Sequence, residues 1–74
     1  MNIQDRVTKV VSEQLGDHLE IQPQTHLIED LGADSLDIVE LGMALEDEFQ
    51  TEVRDEDIVR WQTVQDLINQ FEGS

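Results

Sequence analysis

Apolar residues recur at helical spacing along most of this chain, and no two of its segments pair as a sheet. Ile3, Val7, Val10, Val11 and Leu15 share one face of a helix predicted over Ile3–Leu15, with Asn2 as N-cap and Gly16 at the position that ends it. At about 100° per residue, Ile38, Leu41, Gly42, Leu45 and Phe49 fall together on a second helix, predicted over Ser35–Phe49. Asp55, Glu56 and Asp57 open a short helix carrying Ile58, Val59 and Trp61, and their charges suit the positive end of its dipole. Thr63 caps a last helix whose apolar face is Val64, Leu67, Ile68 and Phe71. Residues 17–29 form a longer connection, kept from helix by Pro23 and Thr25 and anchored by Leu19, Ile21, Leu27 and Ile28. Leu19-Glu20-Ile21-Gln22 alternates like a strand, without a second strand to join it, and residues 50–54 read as a linker. The expected fold is all-α: a small four-helix bundle with a short third helix and a long first loop, one domain over residues 1–74.

A 74-residue bundle without cysteine has neither disulfide nor thiolate metal site to staple it, so packed apolar faces must hold it. Eighteen acids against Arg6, Lys9, Arg54 and Arg60 give a net charge of −14. Such an excess opposes compaction by self-repulsion. It also argues against nucleic acid and anionic membranes as partners, and for basic protein surfaces. Few aromatics in an acidic chain can mean disorder, but 38% hydrophobic residues placed periodically favour folding. The first residues lack the form of a signal peptide and no apolar run reaches spanning length, so the expected compartment is the cytoplasm, or an organelle interior after processing. A monomer is expected.

The segment Asp30-Leu31-Gly32-Ala33-Asp34-Ser35-Leu36-Asp37 delivers a hydroxyl to the start of the second helix. Ser35 reads either as an N-cap or as a modified serine, with Asp34 able to take or share the capping. Behind it the helix is two-faced. Leu36, Val39 and Met43 lie nearly opposite the core stripe, flanked by Asp37, Glu40 and Asp47. A domain with one core cannot bury both faces, and an exposed apolar strip with a charged rim suits docking; the alternatives are cover by a neighbouring segment or scattered surface hydrophobics.

Catalysis by Ser35 would need a base and an oxyanion hole, and no strand precedes it as in hydrolase elbows. His18 and His26 read as solvated loop residues, and no metal site is expected. The paired acids would need a concave pocket to raise one carboxyl pKa, and a bundle of this size offers little such concavity. Asp30, Asp34 and Asp37 miss the calcium-loop spacing, and no phosphate-cradling glycine loop occurs. A phosphate ester on Ser35 would gain from the helix N-terminus and lose from Asp34 and Asp37, a balance suited to a tethered group that leaves the surface. An acidic adaptor in which Ser35 only caps, and a cation-buffering domain, are the readings from other classes.

Glu29-Asp30-Leu31-Gly32-Ala33-Asp34-Ser35-Leu36-Asp37, with Val39-Glu40-Leu41, Met43-Ala44-Leu45-Glu46, Glu13-Gln14-Leu15-Gly16, Ile21-x-Pro23-x-Thr25-x-Leu27 and Thr63-Val64-Gln65, resembles the acyl carrier proteins of type II fatty acid synthesis. The resemblance spans essentially the whole chain. It implies a non-catalytic carrier of fatty acid biosynthesis, with a specialised polyketide or other acyl pathway as the alternative. Ser35 is then where a phosphopantetheinyl transferase attaches 4′-phosphopantetheine from coenzyme A, importing the thiol that the chain lacks. It further implies docking to basic patches of ketosynthase, acyltransferase and other acyl-processing enzymes. The docking residues are Asp34, Leu36, Asp37, Val39, Glu40, Met43, Glu46 and Asp47, with Glu56 on the short helix. The acyl pocket would involve Leu41, Gly42, Leu45, Ile58 and Trp61. Four positions depart from the usual pattern: Gly42 and Trp61 where aliphatics are common, Val59 where an acid is, and Arg54 where proline is. Gly42 costs up to ~1 kcal/mol relative to alanine within a helix and removes core volume, which either enlarges the pocket or loosens the bundle, while Trp61 in place of a smaller aliphatic is able to refill the space.

Overall fold

Each of the longer helices begins at a side chain that accepts an N–H its first turn leaves unpaired. The computed structural model describes residues 2–16 and 20–73. In α1 (Ile3–Leu15), Asn2 Oδ1 accepts from the Asp5 N–H at 2.8 Å, and Gly16 closes the helix at φ 124°. For α2 (Ser35–Phe49) the cap is Asp34. For α4 (Val64–Glu72) it is Thr63, whose Oγ1 accepts from the Asp66 N–H at 3.3 Å. The bounds of α1 and α2 are those the periodicity predicts. The third helix is shorter than predicted: α3 spans only Asp55–Ile58, with Val59 at its C-cap and Trp61 beyond it. Asp57 accepts from the Arg54 N–H at its start.

The long loop is tied to the beginning of α4. The Val64 and Gln65 N–H groups, which have no partner inside their own helix, donate to Thr25 O (3.0 Å) and Pro23 O (2.8 Å). Leu27 N–H returns a bond to Gln62 O at 2.9 Å, and His26 and Thr63 form an antiparallel bridge, the isolated β-pairing among the described residues. Of the strand-like alternation, the described residues Glu20, Ile21 and Gln22 have no part in it. Leu19 and His18 lie outside the described residues.

α1 packs on α2 and α4, and α3 on α2. Val7 and Val11, Leu41 and Leu45, and Val64 and Leu67 are fully buried, one pair from each long helix, and Leu27 joins them from the loop. Val53 and Ala33 are buried too, both outside the predicted stripes. Ile28 corrects the predicted anchors. It is 58% exposed, because the turn that carries Leu27 inward sends its neighbour outward. Phe49 is half-buried and stacked on Phe71 at 4.5 Å, with the Arg6 guanidinium 4.4 Å above its ring. Arg6 also bonds Glu48 Oε2 at 3.0 Å and the Glu48 carbonyl at 2.6 Å, placing a cation at the negative end of α2.

Partial burial alone would raise the Asp66 carboxyl, but the Thr63 and Gln62 N–H groups, the Thr63 side chain and nearby His26 together hold it below the usual carboxylate range. A depressed native pKa adds stability that is present above the unfolded value, about 3.9, and is lost as pH falls through the native one. Asp66→Asn is therefore expected to melt below the wild type at neutral pH, with the gap closing under acid. Melting curves across that range check this, and a gap independent of pH would contradict it.

Candidate functional site

Ser35 is presented by a turn that folds the loop onto its own carbonyls. His26 O accepts from Asp30 N–H (3.0 Å) and Leu31 N–H (3.2 Å), Ile28 O from Gly32 N–H (3.0 Å), and Leu27 O from Ala33 N–H (3.1 Å). Asp30 Oδ2 accepts from the His26 N–H at 2.8 Å and closes the turn from the other side. Gly32 then takes φ 72°, a left-handed conformation that side chains disfavour, and buried Ala33 sets the depth from which the chain emerges. Apart from Gly32 and its two chain neighbours, no heavy atom of the described residues lies within 4 Å of where a Gly32 Cβ would stand, so conformation and not space selects glycine. Gly32→Ala is expected to destabilise by roughly 1–2 kcal/mol. Urea unfolding measures this, and an unchanged midpoint would contradict it.

The capping of α2 is reciprocal and leaves Ser35 out. Asp34 Oδ1 accepts from the Asp37 N–H at 2.9 Å, and Asp37 Oδ2 accepts from the Asp34 N–H at 3.1 Å. Ser35 is the first residue of the helix and is exposed. A hydroxyl in that place is open to an incoming group, and removing it breaks no cap bond. Of the two sequence readings of Ser35, the cap is thereby excluded.

Leu36 and Met43 are each 63% exposed and Val39 is 42% exposed, so the second stripe of α2 does face out. Asp34, Glu40 and Asp47 are exposed around it, with Asp37 and Glu46 half-buried. An open groove continues from Glu40, Met43 and Asp47 to Gln50, Thr51 and Glu52. Glu56 is exposed on α3, 3.6 Å from Arg54. Arrangements of this kind, an apolar strip with an anionic rim, attract a partner of opposite charge and then bury its apolar contacts.

Leu41 and Leu45 are fully buried, and Gly42, Ile58 and Trp61 meet over the other side of the same stripe. A Cβ on Gly42 would stand 3.0 Å from Ile58 Cδ1, 3.3 Å from Ile58 Cγ1 and 3.5 Å from Trp61 Cζ3. The volume a larger residue would take at position 42 is thus filled by Ile58 and Trp61. Trp61 also lines a second groove of about 300 Å³ with His26, Ile28, Glu29 and Gln62. Ile28 is the residue that sequence reasoning assigned to the core instead. Among the described residues, no helix is long and apolar enough to cross a membrane.

A family model described as "Phosphopantetheine attachment site" matches residues 5–71. Among solved structures, a Mycobacterium tuberculosis protein assigned as an acyl carrier protein superposes with a TM-score of 0.85 at 28% sequence identity, covering 92% of each chain.

Proposed function

The chain belongs to the phosphopantetheine attachment-site family, and on that premise we propose that Ser35 bears the 4′-phosphopantetheine arm and that the protein moves acyl thioesters between enzymes of fatty acid biosynthesis. The protein is a carrier and not an enzyme. One observation carries the choice of Ser35: an exposed hydroxyl at the head of α2, with both cap bonds made between its neighbours Asp34 and Asp37. A phosphodiester there meets the positive end of the helix and the negative charge of those two carboxylates together. The arm is therefore held loosely enough to reach other proteins.

Those proteins are a phosphopantetheinyl transferase, which takes the arm from coenzyme A, and the ketosynthase, acyltransferase and related enzymes that work on the cargo. Their basic patches dock on Asp34, Leu36, Asp37, Val39, Glu40, Met43, Glu46 and Asp47, with Glu56 at the edge. Leu41, Gly42, Leu45, Ile58 and Trp61 surround the acyl chain. The carrier works as a monomer in the cytoplasm. A second reading is a carrier dedicated to a polyketide or other specialised acyl pathway; the observation behind it is the close packing of Ile58 and Trp61 on Gly42, among the residues assigned to the acyl chain.

Reversing two rim charges, Glu40→Lys with Asp47→Lys, is expected to weaken binding to the transferase and to a ketosynthase by roughly tenfold or more and to flatten its salt dependence, with folding retained. Titration calorimetry at two salt concentrations measures both. Unchanged affinity for both enzymes would remove α2 as the docking face. Which acyl groups are loaded, and which ketosynthase accepts them, separates the two pathways.

A further inference from the structure

Protein interiors are close-packed, so an acyl chain enters one only where a side chain can move aside. Ser35 and Gly42 stand seven residues apart on α2, which puts them on one side of the helix to within about 20° and roughly 10 Å apart along it. A group tethered to Ser35 and laid along that side of α2 arrives at Gly42. The two residues that would meet a Cβ at position 42 differ in their freedom. Ile58 approaches with Cδ1, the tip of its side chain. It is half-buried and ends α3, a single turn none of whose residues is buried. Trp61 approaches with Cζ3 of a rigid indole that is 6% exposed. Its N–H donates to Ile58 O at 3.2 Å, and the next residue, Gln62, accepts from the Leu27 N–H, so the main chain is pinned on both sides. The Ile58 side chain can swing away and the indole cannot. Since both reach one Cβ position, this cover and this stop stand only a few carbon–carbon bonds apart.

We propose that Trp61 limits the length of cargo held inside the bundle: a short acyl chain lies over Gly42 beneath a displaced Ile58 with its end against the indole, and a longer saturated chain buries no more of itself. The proposal rests on the carrier reading above and names the residue that closes the acyl site. Gly42 serves it by having no side chain. A methyl there would stand 3.0 Å from Ile58 Cδ1 and take the room that the cargo needs. The excess carbons of a longer chain stay in solvent.

Each buried methylene adds stability, so the melting temperature of the loaded protein reports how many carbons lie inside. Ser35 is loaded with phosphopantetheine analogues bearing amide-linked acetyl, butyryl, octanoyl or hexadecanoyl chains, and loading is verified by intact mass. The expected result is a rise from acetyl to butyryl and no further rise with the longer chains. The ¹³C-labelled terminal methyl of the butyryl chain should also move upfield in the ring current of the indole, which belongs to the one tryptophan present. Trp61→Leu should abolish that move and let the melting temperature go on rising to octanoyl. Gly42→Ala, which favours the helix, should lose the butyryl gain. On loaded wild type, a melting temperature that climbs through octanoyl, or a butyryl methyl with no upfield move, would overturn the proposal and leave the carrier reading standing. A Trp61→Leu profile that still levels off at butyryl would do the same, and the wild-type readouts decide if that variant does not fold. Failure of the wild type to take up the arm would overturn both.

Discussion

Ser35→Ala is expected to fold with nearly wild-type stability and to gain no mass from coenzyme A, Mg²⁺ and a phosphopantetheinyl transferase. The two halves of that result have separate causes. Alanine is the best helix former and Ser35 contributes no cap bond, so the stability change should stay within about 0.5 kcal/mol. Were Ser35 the cap, the loss would be about 0.5–2 kcal/mol, as expected instead for Asp34. The modification, by contrast, is all or none, because the hydroxyl is the nucleophile that forms the phosphodiester. Thermal melts and intact-mass spectra on the same preparation separate the readings. A destabilised variant that is still modified would reverse the assignment.

Leu27→Ala is expected to be the most damaging change outside the helices. Leu27 is fully buried, its N–H bonds Gln62 O, and its carbonyl accepts from Ala33. One residue therefore joins the loop, the start of α4 and the turn that presents Ser35, its main chain through these bonds and its side chain through the core. Truncation should cost about 2–5 kcal/mol through lost transfer energy and the cavity left behind. A chain of this length has roughly 4–11 kcal/mol in total, at 0.05–0.15 kcal/mol per residue. Urea unfolding should show a midpoint near the limit of folding, and modification should slow because the turn loses its anchor. A cost below about 1 kcal/mol would mean that the loop is not part of the core.

Much of this was readable in the sequence, and the reason is local. The stripes of α1, α2 and α4 repeat at helical spacing, and Asn2, Asp34 and Thr63 are cap residues of ordinary chemistry, so periodicity and capping agree on where the longer helices start. The two-faced character of α2 followed from counting cores, and Leu36, Val39 and Met43 are exposed as that count requires. What escaped was set by tertiary contact. Trp61 falls outside α3 although its spacing from Ile58 is helical, because the chain leaves the helix at Val59 and turns back toward α4. The inward turn of Leu27 and the outward turn of Ile28 depend on bonds to Gln62 and within the loop, which no local pattern announces. Gly42 left open in the sequence a wider pocket, a looser bundle or a space refilled by Trp61, and the close approach of Ile58 and Trp61 shows the space refilled.

The most direct measurement is fragment mass mapping of the wild type after incubation with coenzyme A, Mg²⁺ and a broad-specificity phosphopantetheinyl transferase. Three serines, Ser12, Ser35 and Ser74, are available to receive the group. The expected spectrum shows one phosphopantetheine per chain, on Ser35. No addition with several such transferases, or an addition on Ser12 or Ser74, would contradict Ser35 as the attachment point.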